Sequence, residues 1–190
     1  MVVLRANIGV TFSRFCNPNV TDGGICLGAV CYYLVMKITV RSFVPGDEEA
    51  FRLLNEAWIR QYFGLEEADH KVLGDPVAQI LAPGGQIYMA MDGAERVGTC
   101  ALIKLGDAEF ELAKMGVAEN RRGQGIGRVL LEFAIADARQ MNVRRLYIET
   151  NTSLHSAIHL YESVGFRHLP PGDGQSHFAR GNAFLEMRLG

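Results

Sequence analysis

The chain has 190 residues, of which 48% are hydrophobic and 21% are charged, and its formal net charge is -2. This length suits one domain with a substantial core, and the composition is that of an ordinary folded protein rather than a disordered one. A near-neutral charge gives no general attraction to nucleic acid or to an acidic membrane surface, so no nucleic-acid or membrane partner is predicted. Any anion-binding surface must be local.

Cysteine and histidine spacing predicts neither a metal site nor a disulfide scaffold. His155 and His159 lie four residues apart on one predicted helix, but no third ligand is in register. The four cysteines lack both the spacing of a zinc site and the density of a disulfide framework, and a reducing cytoplasm is their simplest setting. They are Cys16, Cys26, Cys31 and Cys100.

Residues 1–35 differ from the rest of the chain. They hold three of the four cysteines, no regular hydrophobic period, and a turn-rich stretch at 17–24. Their longest apolar run is shorter than the ~20 residues of a membrane span, and no signal cleavage site follows it. The sequence therefore predicts a poorly structured leader over 1–35 and one domain over 36–190. We hypothesise that the native start is Met36 and that the leader is an artefact of start-site assignment; a genuine extension is the alternative.

Helices and strands are predicted along the domain from the spacing of its apolar residues. Asp47 suits a helix N-cap, and apolar residues recur at intervals of three and four from Phe51 to Phe63, which indicates an amphipathic helix that Gly64 ends. A second short helix is predicted over 66–73. Residues 151–153 are predicted to cap a helix that Gly165 closes, before a loop at 170–174. Strands are predicted over 36–43, 86–91, 96–105, 110–117, 146–150 and 183–189.

A glycine turn joins the predicted strand 110–117 to a helix that runs to about residue 142. Gly123, Gly125 and Gly127 lie within five residues, and glycine lets the backbone approach a ligand closely. The unpaired N–H groups at the start of the helix bind anions, phosphate above all. Arg122 and Arg128 flank the turn and are placed to add charged hydrogen bonds. The stretch therefore predicts a cradle for a diphosphate.

The residues in and after this turn differ from two common phosphate-binding loops. A nucleoside-triphosphate loop has Lys-Ser or Lys-Thr after its last glycine, and neither follows here. A dinucleotide loop reads G-x-G-x-x-G, whereas this turn reads G-x-G-x-G, although Glu149 lies where the ribose-binding acid of that motif would. NAD(P) binding stays an alternative. It is less favoured because several strands follow one another before the first strand–helix–strand crossover, whereas a doubly wound fold alternates strands and helices. A second alternative is that the glycines only begin the helix and that its N-terminus binds no ligand.

Two motifs in order resemble the GCN5-related N-acetyltransferase (GNAT) superfamily. They are Arg122-x-x-Gly125-x-Gly127 behind a strand, and Leu-Tyr-x-x-x-Gly-Phe ending at Phe166. The resemblance covers about residues 37–189. It implies an α/β fold with a mixed, mainly antiparallel central sheet, a parallel splayed pair of strands and flanking helices.

The same resemblance implies an acetyl-CoA-dependent N-acetyltransferase with no metal. The acetyl group would pass from acetyl-CoA to a primary amine on a small molecule or peptide, by direct attack in a ternary complex, since no cysteine nucleophile lies near the motifs. A homodimer is a further implication. A non-catalytic acyl-CoA-binding or regulatory module is the alternative.

Family roles can be carried over to matching positions. Tyr161 would be the general acid that protonates the coenzyme A thiolate, and Glu111 the general base, with Glu109 and Glu149 as competitors. The amide of Val117 would polarise the thioester carbonyl. Asn151 is either a cofactor contact or a helix cap. The residues expected to bind the cofactor are Met115, Val117, Arg122, Gly123, Gln124, Gly125, Ile126, Gly127, Arg128 and Asn151.

The acceptor side is less defined by the sequence. The resemblance places the first two helices beside the acceptor, so Trp58, Tyr62 and Phe63 either contact substrate or belong to the core. Residues 176–182 resemble a segment of related bacterial acetyltransferases and contain His177 and Arg180. Arg180 is therefore expected to shape the acceptor pocket.

Overall fold

A computed structural model describes residues 38–170, 176 and 178–190. The leader over 1–35 lies outside these residues, so its lack of structure and the native start at Met36 stay predictions. The loop at 170–174 lies outside them except for Pro170, and so does His177.

The described residues form a mixed sheet with helices on both faces. The sheet has seven strands in the order β1-β2-β3-β4-β5-β7-β6, and only the β4–β5 pair is parallel. This confirms the predicted fold class. No helix within the described ranges combines the length and apolar content needed to cross a bilayer. The elements are β1 Ile38–Ser42, α1 Glu48–Tyr62, α2 Glu67–Gly74, β2 Gln86–Asp92, β3 Glu95–Gly106, β4 Glu109–Val117, α3 Ile126–Gln140, β5 Arg145–Thr150, α4 His155–Ser163, β6 Arg167–His168 and β7 Ala183–Arg188.

Each face of the sheet has its own apolar core. Leu130 and Leu131 of α3 are fully buried on one face, together with residues of α4. Phe51 and Ile59 of α1 are fully buried on the other, beside α2. Burying one such side chain contributes about 1.5–3 kcal/mol. The helices that flank the site are therefore fixed to the sheet by their apolar faces.

Asp47 corrects one detail of the sequence analysis. It occupies the N-cap position of α1, but its side chain makes no cap hydrogen bond. Its fully buried carboxylate instead accepts bonds from Arg41, from Arg96 and from the amide of Val44. Burial alone would raise the pKa of Asp47, but these donors lower it to about 2. The two arginines outcompete the helix amides for this carboxylate because they carry full charges.

A bulge in β4 and the short contact between β4 and β5 create a gap in the sheet. Thr99 of β3 lies opposite Gly116 and Ala101 opposite Ala113, so the two β4 residues 114 and 115 face the single β3 residue 100. Lys114, within this β-bulge, has a φ of 49°. The parallel pairing with β5 covers only residues 109–111 and 145–147. Beyond that point the edges of β4 and β5 are not paired with each other.

Candidate active site

The gap between β4 and β5 opens into a cavity of about 670 Å³ that runs from the glycine turn to α1 and the segment before β7. The structure brings together every predicted site residue except Gln124, whose side chain reaches back to the carbonyl of Asn120 at 3.4 Å. The predicted residues that line the cavity are Glu111, Met115, Val117, Arg122, Gly123, Gly125, Ile126, Gly127, Arg128, Asn151 and Tyr161.

The glycine turn has the backbone that a phosphate cradle requires. Gly123 and Gly125 have φ values of 76° and 79°, a left-handed conformation that side-chain-bearing residues adopt only at a cost. Gly125 is the N-cap of α3, so the first amides of that helix lack partners within it. A Cβ on Gly127 would come within 3.3 Å of Leu160 and Met115, which shows how closely α3 approaches α4 and β4.

The two predicted phosphate-binding arginines lie on either side of the turn. Arg122 donates to the side chain of Gln61 at 2.7 Å and to the carbonyl of Val117 at 3.4 Å. Arg128 donates to Ser163 at 2.7 Å. Contacts from α1 and α4 thus hold both guanidinium groups at the rim of the cavity.

Beyond residue 111, the edge of β4 is not paired with β5 and faces the gap. The amide of Ala118 donates to the carbonyl of Val97 on β3. Successive residues of a regular strand direct their N–H groups to opposite neighbours, so the amide of Val117 faces the gap. An extended ligand can pair with this edge as an added strand.

Tyr161 is buried at the inner wall of the cavity. Tyr161 is 8% exposed, and the centroid of its ring lies 6.1 Å from that of the Phe166 ring, in an edge-to-face arrangement. Burial raises the pKa of Tyr161 above its ordinary value of 10. Within the described residues, no hydrogen bond to its hydroxyl is found. The hydroxyl is therefore protonated at neutral pH.

Of the three candidate carboxylates, Glu111 and Glu149 line the cavity, whereas Glu109 is exposed and bonded to Arg145. Glu149 accepts hydrogen bonds from the hydroxyl of Ser176 at 2.6 Å and the amide of Phe178 at 3.2 Å, so it holds the segment before β7. Glu111 is 6% exposed on the strand that also presents the Val117 amide.

Asn151 is not a helix cap. Leu154 occupies the N-cap position of α4, without a side-chain cap. The Asn151 side chain accepts a bond from the amide of Ser153 and donates to the carbonyl of Arg180 at 2.6 Å. The predicted cap at 151–153 is wrong because this asparagine closes a turn before the helix and ties it to the segment before β7.

The acceptor end of the cavity has aromatic and charged walls. Trp58, Tyr62 and Phe63 all line it, and Tyr62 is 50% exposed. We name the charged side the acceptor wall and define it as Glu111, Lys114, Phe178 and Arg180. His155 and His159 are exposed on α4.

Lys114 and its partner Asp69 were missed by the sequence analysis. Lys114 donates to Asp69 at 3.1 Å, and Arg180, which was expected at this pocket, donates to both oxygens of Asp69 at 2.7 and 2.8 Å. Burial lowers the pKa of Lys114, although Asp69 and Glu111 oppose the change. The only feature of the sequence that could have indicated Lys114 is that it is the single lysine within a largely apolar strand.

Comparisons with known proteins agree with this geometry. Residues 47–166 match the profile described as the Acetyltransferase (GNAT) family. Over 99 residues, 50% of the chain, the sequence is 34% identical to the uncharacterized N-acetyltransferase YjgM of Escherichia coli, of which this covers 59%. The chain spans about half the length of the curated relatives it matches.

Two solved structures share the fold. A GNAT acetyltransferase from Staphylococcus aureus Mu50 matches with a TM-score of 0.74 and 24% identity, over 80% of this chain and 99% of that one. A GNAT acetyltransferase from Elizabethkingia anophelis with acetyl-CoA bound matches with a TM-score of 0.54 and 23% identity, over 80% and 98%. Because the family profile covers well over half of the sequence, the chain belongs to the GNAT family of acetyltransferases.

Proposed function

We propose that the chain transfers the acetyl group of acetyl-CoA to a primary amine by direct attack in a ternary complex. The observation that carries this proposal is the gap in the sheet, which connects a glycine turn suited to a diphosphate with a wall that holds Tyr161 and Glu111. The Elizabethkingia anophelis neighbour has acetyl-CoA bound on the same fold, which supports acetyl-CoA as co-substrate.

The backbone and arginines at the turn suit the cofactor. The amides of residues 124–128 would hold the pyrophosphate, with Arg122 and Arg128 adding charge. Gln124 would contribute through its backbone only, since its side chain turns toward Asn120. The pantetheine arm would pair with Met115 and Val117. Asn151 would face it from the opposite side of the gap.

Acetyl transfer needs one proton removed and one supplied. The amine nitrogen forms a bond to the thioester carbonyl carbon, and the carbon–sulfur bond breaks. Glu111 would accept the proton that the amine loses, and Tyr161 would give its hydroxyl proton to the departing thiolate. The Val117 amide faces the gap, where a backbone donor can stabilise negative charge on the carbonyl oxygen.

Location in the cavity supports Glu111 over Glu109. Glu109 does not line the cavity, and Glu149 is engaged in holding Ser176 and Phe178. The cytoplasmic location and the homodimer expected from the sequence stay predictions.

A thermal-shift titration with acetyl-CoA, coenzyme A and NAD in parallel tests the proposal, followed by a screen of amines for release of free thiol. A ligand at a hundred times its Kd stabilises the fold by about 2.7 kcal/mol. We expect stabilisation by both coenzyme A forms and not by NAD. Stabilisation without thiol release for any amine would favour the non-catalytic module, and stabilisation by NAD alone would favour the dinucleotide alternative.

A further inference from the structure

Two cationic side chains converge on one buried aspartate at the acceptor wall. The Asp69 carboxylate is fully buried, and the side chains of Lys114 and Arg180 are only 5% and 13% exposed. The Phe178 ring lies 4.3 Å from the Lys114 ammonium and 4.3 Å from the Arg180 guanidinium. Both cations line the cavity, whereas Asp69 lies behind them.

Stability alone does not account for this cluster. Replacing a buried ion cluster by apolar side chains is often neutral or stabilising, because removing the charges from water costs more than their attraction returns. The two carboxylates that balance Lys114 and Arg180 are Asp69 and Glu66, and neither of them lines the cavity. Glu66, 30% exposed at the start of α2, contacts Arg180 and accepts a hydrogen bond from the amide of Ala179.

Both cations keep hydrogen-bond donors beyond those that Asp69 and Glu66 use. An ammonium has three N–H groups, and among the described residues Lys114 makes one bond, to Asp69. A guanidinium has five, and in the same part of the chain Arg180 makes three bonds to the two carboxylates. The remaining donors suit an oxygen anion that enters the cavity.

Glu111 lies close to these cations. It precedes Lys114 by three residues on β4 and lines the same cavity, and its charge opposes the fall in the pKa of Lys114. One wall of the cavity therefore presents a carboxylate beside two cations. An acceptor with an ammonium group next to a carboxylate matches this pattern, whereas a polyamine would place further positive charge against Lys114 and Arg180.

We propose that the acceptor is an α-amino acid with an apolar side chain, its amine beside Glu111 and its carboxylate bound by Lys114 and Arg180. This inference rests on the acetyl transfer proposed above. The aromatic side chains of Trp58 and Phe63 would receive the apolar part of the acceptor. Asp69 is then a positioning residue that keeps both cations in place.

Matched acceptors test the inference. Phenylalanine, leucine and tyrosine are compared with phenethylamine, 3-methylbutylamine and tyramine, which keep the side chain and lack the carboxylate. Thiol release gives kcat and KM, and calorimetry measures binding of each acid to the chain loaded with coenzyme A. Since a hydrogen bond to a charged group is lost with the carboxylate, we expect kcat/KM at least about tenfold higher for the acids.

Lys114→Met keeps the unbranched side chain up to the position of Cε and removes the charged ammonium group. It is expected to raise KM for the acids and leave KM for the amines unchanged. Lys104→Met, at an exposed position of β3, is the control and should change neither. An equal rise in KM for acids and amines would mean a merely structural role for Lys114.

The wild-type comparison decides the question even if the variant does not fold. Equal or better use of the amines overturns the inference and leaves acetyl transfer standing. So does failure of all three acids to bind a chain that coenzyme A stabilises. Absence of stabilisation by coenzyme A refutes the proposed function itself, and the two failures are thereby distinguished.

Discussion

Tyr161→Phe separates the chemical role of one hydroxyl from its structural role. A positioned general acid contributes roughly 10²–10⁴ in rate. A thiolate leaves readily, because an ordinary thiol has a pKa of about 8.5, so we expect the low end of that range, about a hundredfold in kcat. The corresponding rise in the barrier is about 3 kcal/mol. KM for the amine should not change.

The same substitution should hardly affect stability. Within the described residues the Tyr161 hydroxyl has no hydrogen bond, and the phenyl ring keeps its contact with Phe166. The free energy of unfolding should therefore change by less than about 0.5 kcal/mol. Because burial raises the pKa of Tyr161, the proton donor persists above pH 10, and the kcat of the wild type should show no loss from its ionisation below that pH.

Tyr88→Phe is the matched control. Tyr88 is also a buried tyrosine, but its hydroxyl donates to Asp137 at 2.6 Å and does not line the cavity. Losing a bond to a charged group should cost about 1.5–3 kcal/mol of stability and leave kcat intact. Chemical denaturation and thiol-release kinetics of both variants measure the contrast. Equal kcat for Tyr161→Phe and the wild type over the whole pH range would refute the reasoning.

Three further outcomes are expected. Asp47→Asn should cost about 2 kcal/mol of stability at neutral pH, from the difference between 3.8 and about 2 in pKa. Because the folded-state pKa is lowered, the wild type should lose this advantage as pH falls from about 4 toward 2, as denaturation at each pH would show. Glu111→Gln should lower kcat about a hundredfold if Glu111 is the base, measured by thiol release. Gly116→Ala should cost about 1–3 kcal/mol in urea denaturation, because its Cβ would lie 2.8 Å from the Leu54 carbonyl oxygen and push α1 away.

For each of these three predictions, a control variant or a contradicting result can be named. Asp47→Asn is compared with the wild type at each pH, so other carboxylates cancel, and a constant difference down to pH 2 would contradict the assignment. Glu109→Gln on the same strand should keep a normal rate. Gly64→Ala, where a new Cβ meets nothing within 4 Å, should leave stability near that of the wild type; an equal loss at both glycines would count against the α1 contact.

Periodic apolar residues were enough to predict most of the fold. The strands on either side of the 92–95 hairpin and the helix after the glycine turn were placed within a few residues, because the strands are continuous buried runs and the helix buries one regular face. Three short elements were missed: β6 has two residues, the 3₁₀ helix Glu119–Arg121 has three, and the π-helix Val77–Leu81 has five. Segments this short have no period from which to recognise them.

The glycine turn was also predictable, since its conformation depends on local residue types. The acceptor wall was not, because it is assembled from distant parts of the chain. Asp69 and Arg180 are 111 positions apart, and nothing local to either residue indicates the partner. Arg180 was found only through resemblance, and Lys114 not at all.

The bulge in β4 has a consequence for how the site can change in evolution. In a regular strand, residues two apart share a face, so Lys114 would follow Phe110 and Leu112 into the apolar core that packs on α3. The extra residue shifts the phase of the strand, so Lys114 reaches Asp69 on the α2 side and Val117 packs toward α3. Deleting a single residue here would reverse either the cofactor half or the acceptor half of β4. The length of this strand is therefore as much a part of the site as its side chains, and point substitution alone cannot restore the arrangement once the extra residue is lost.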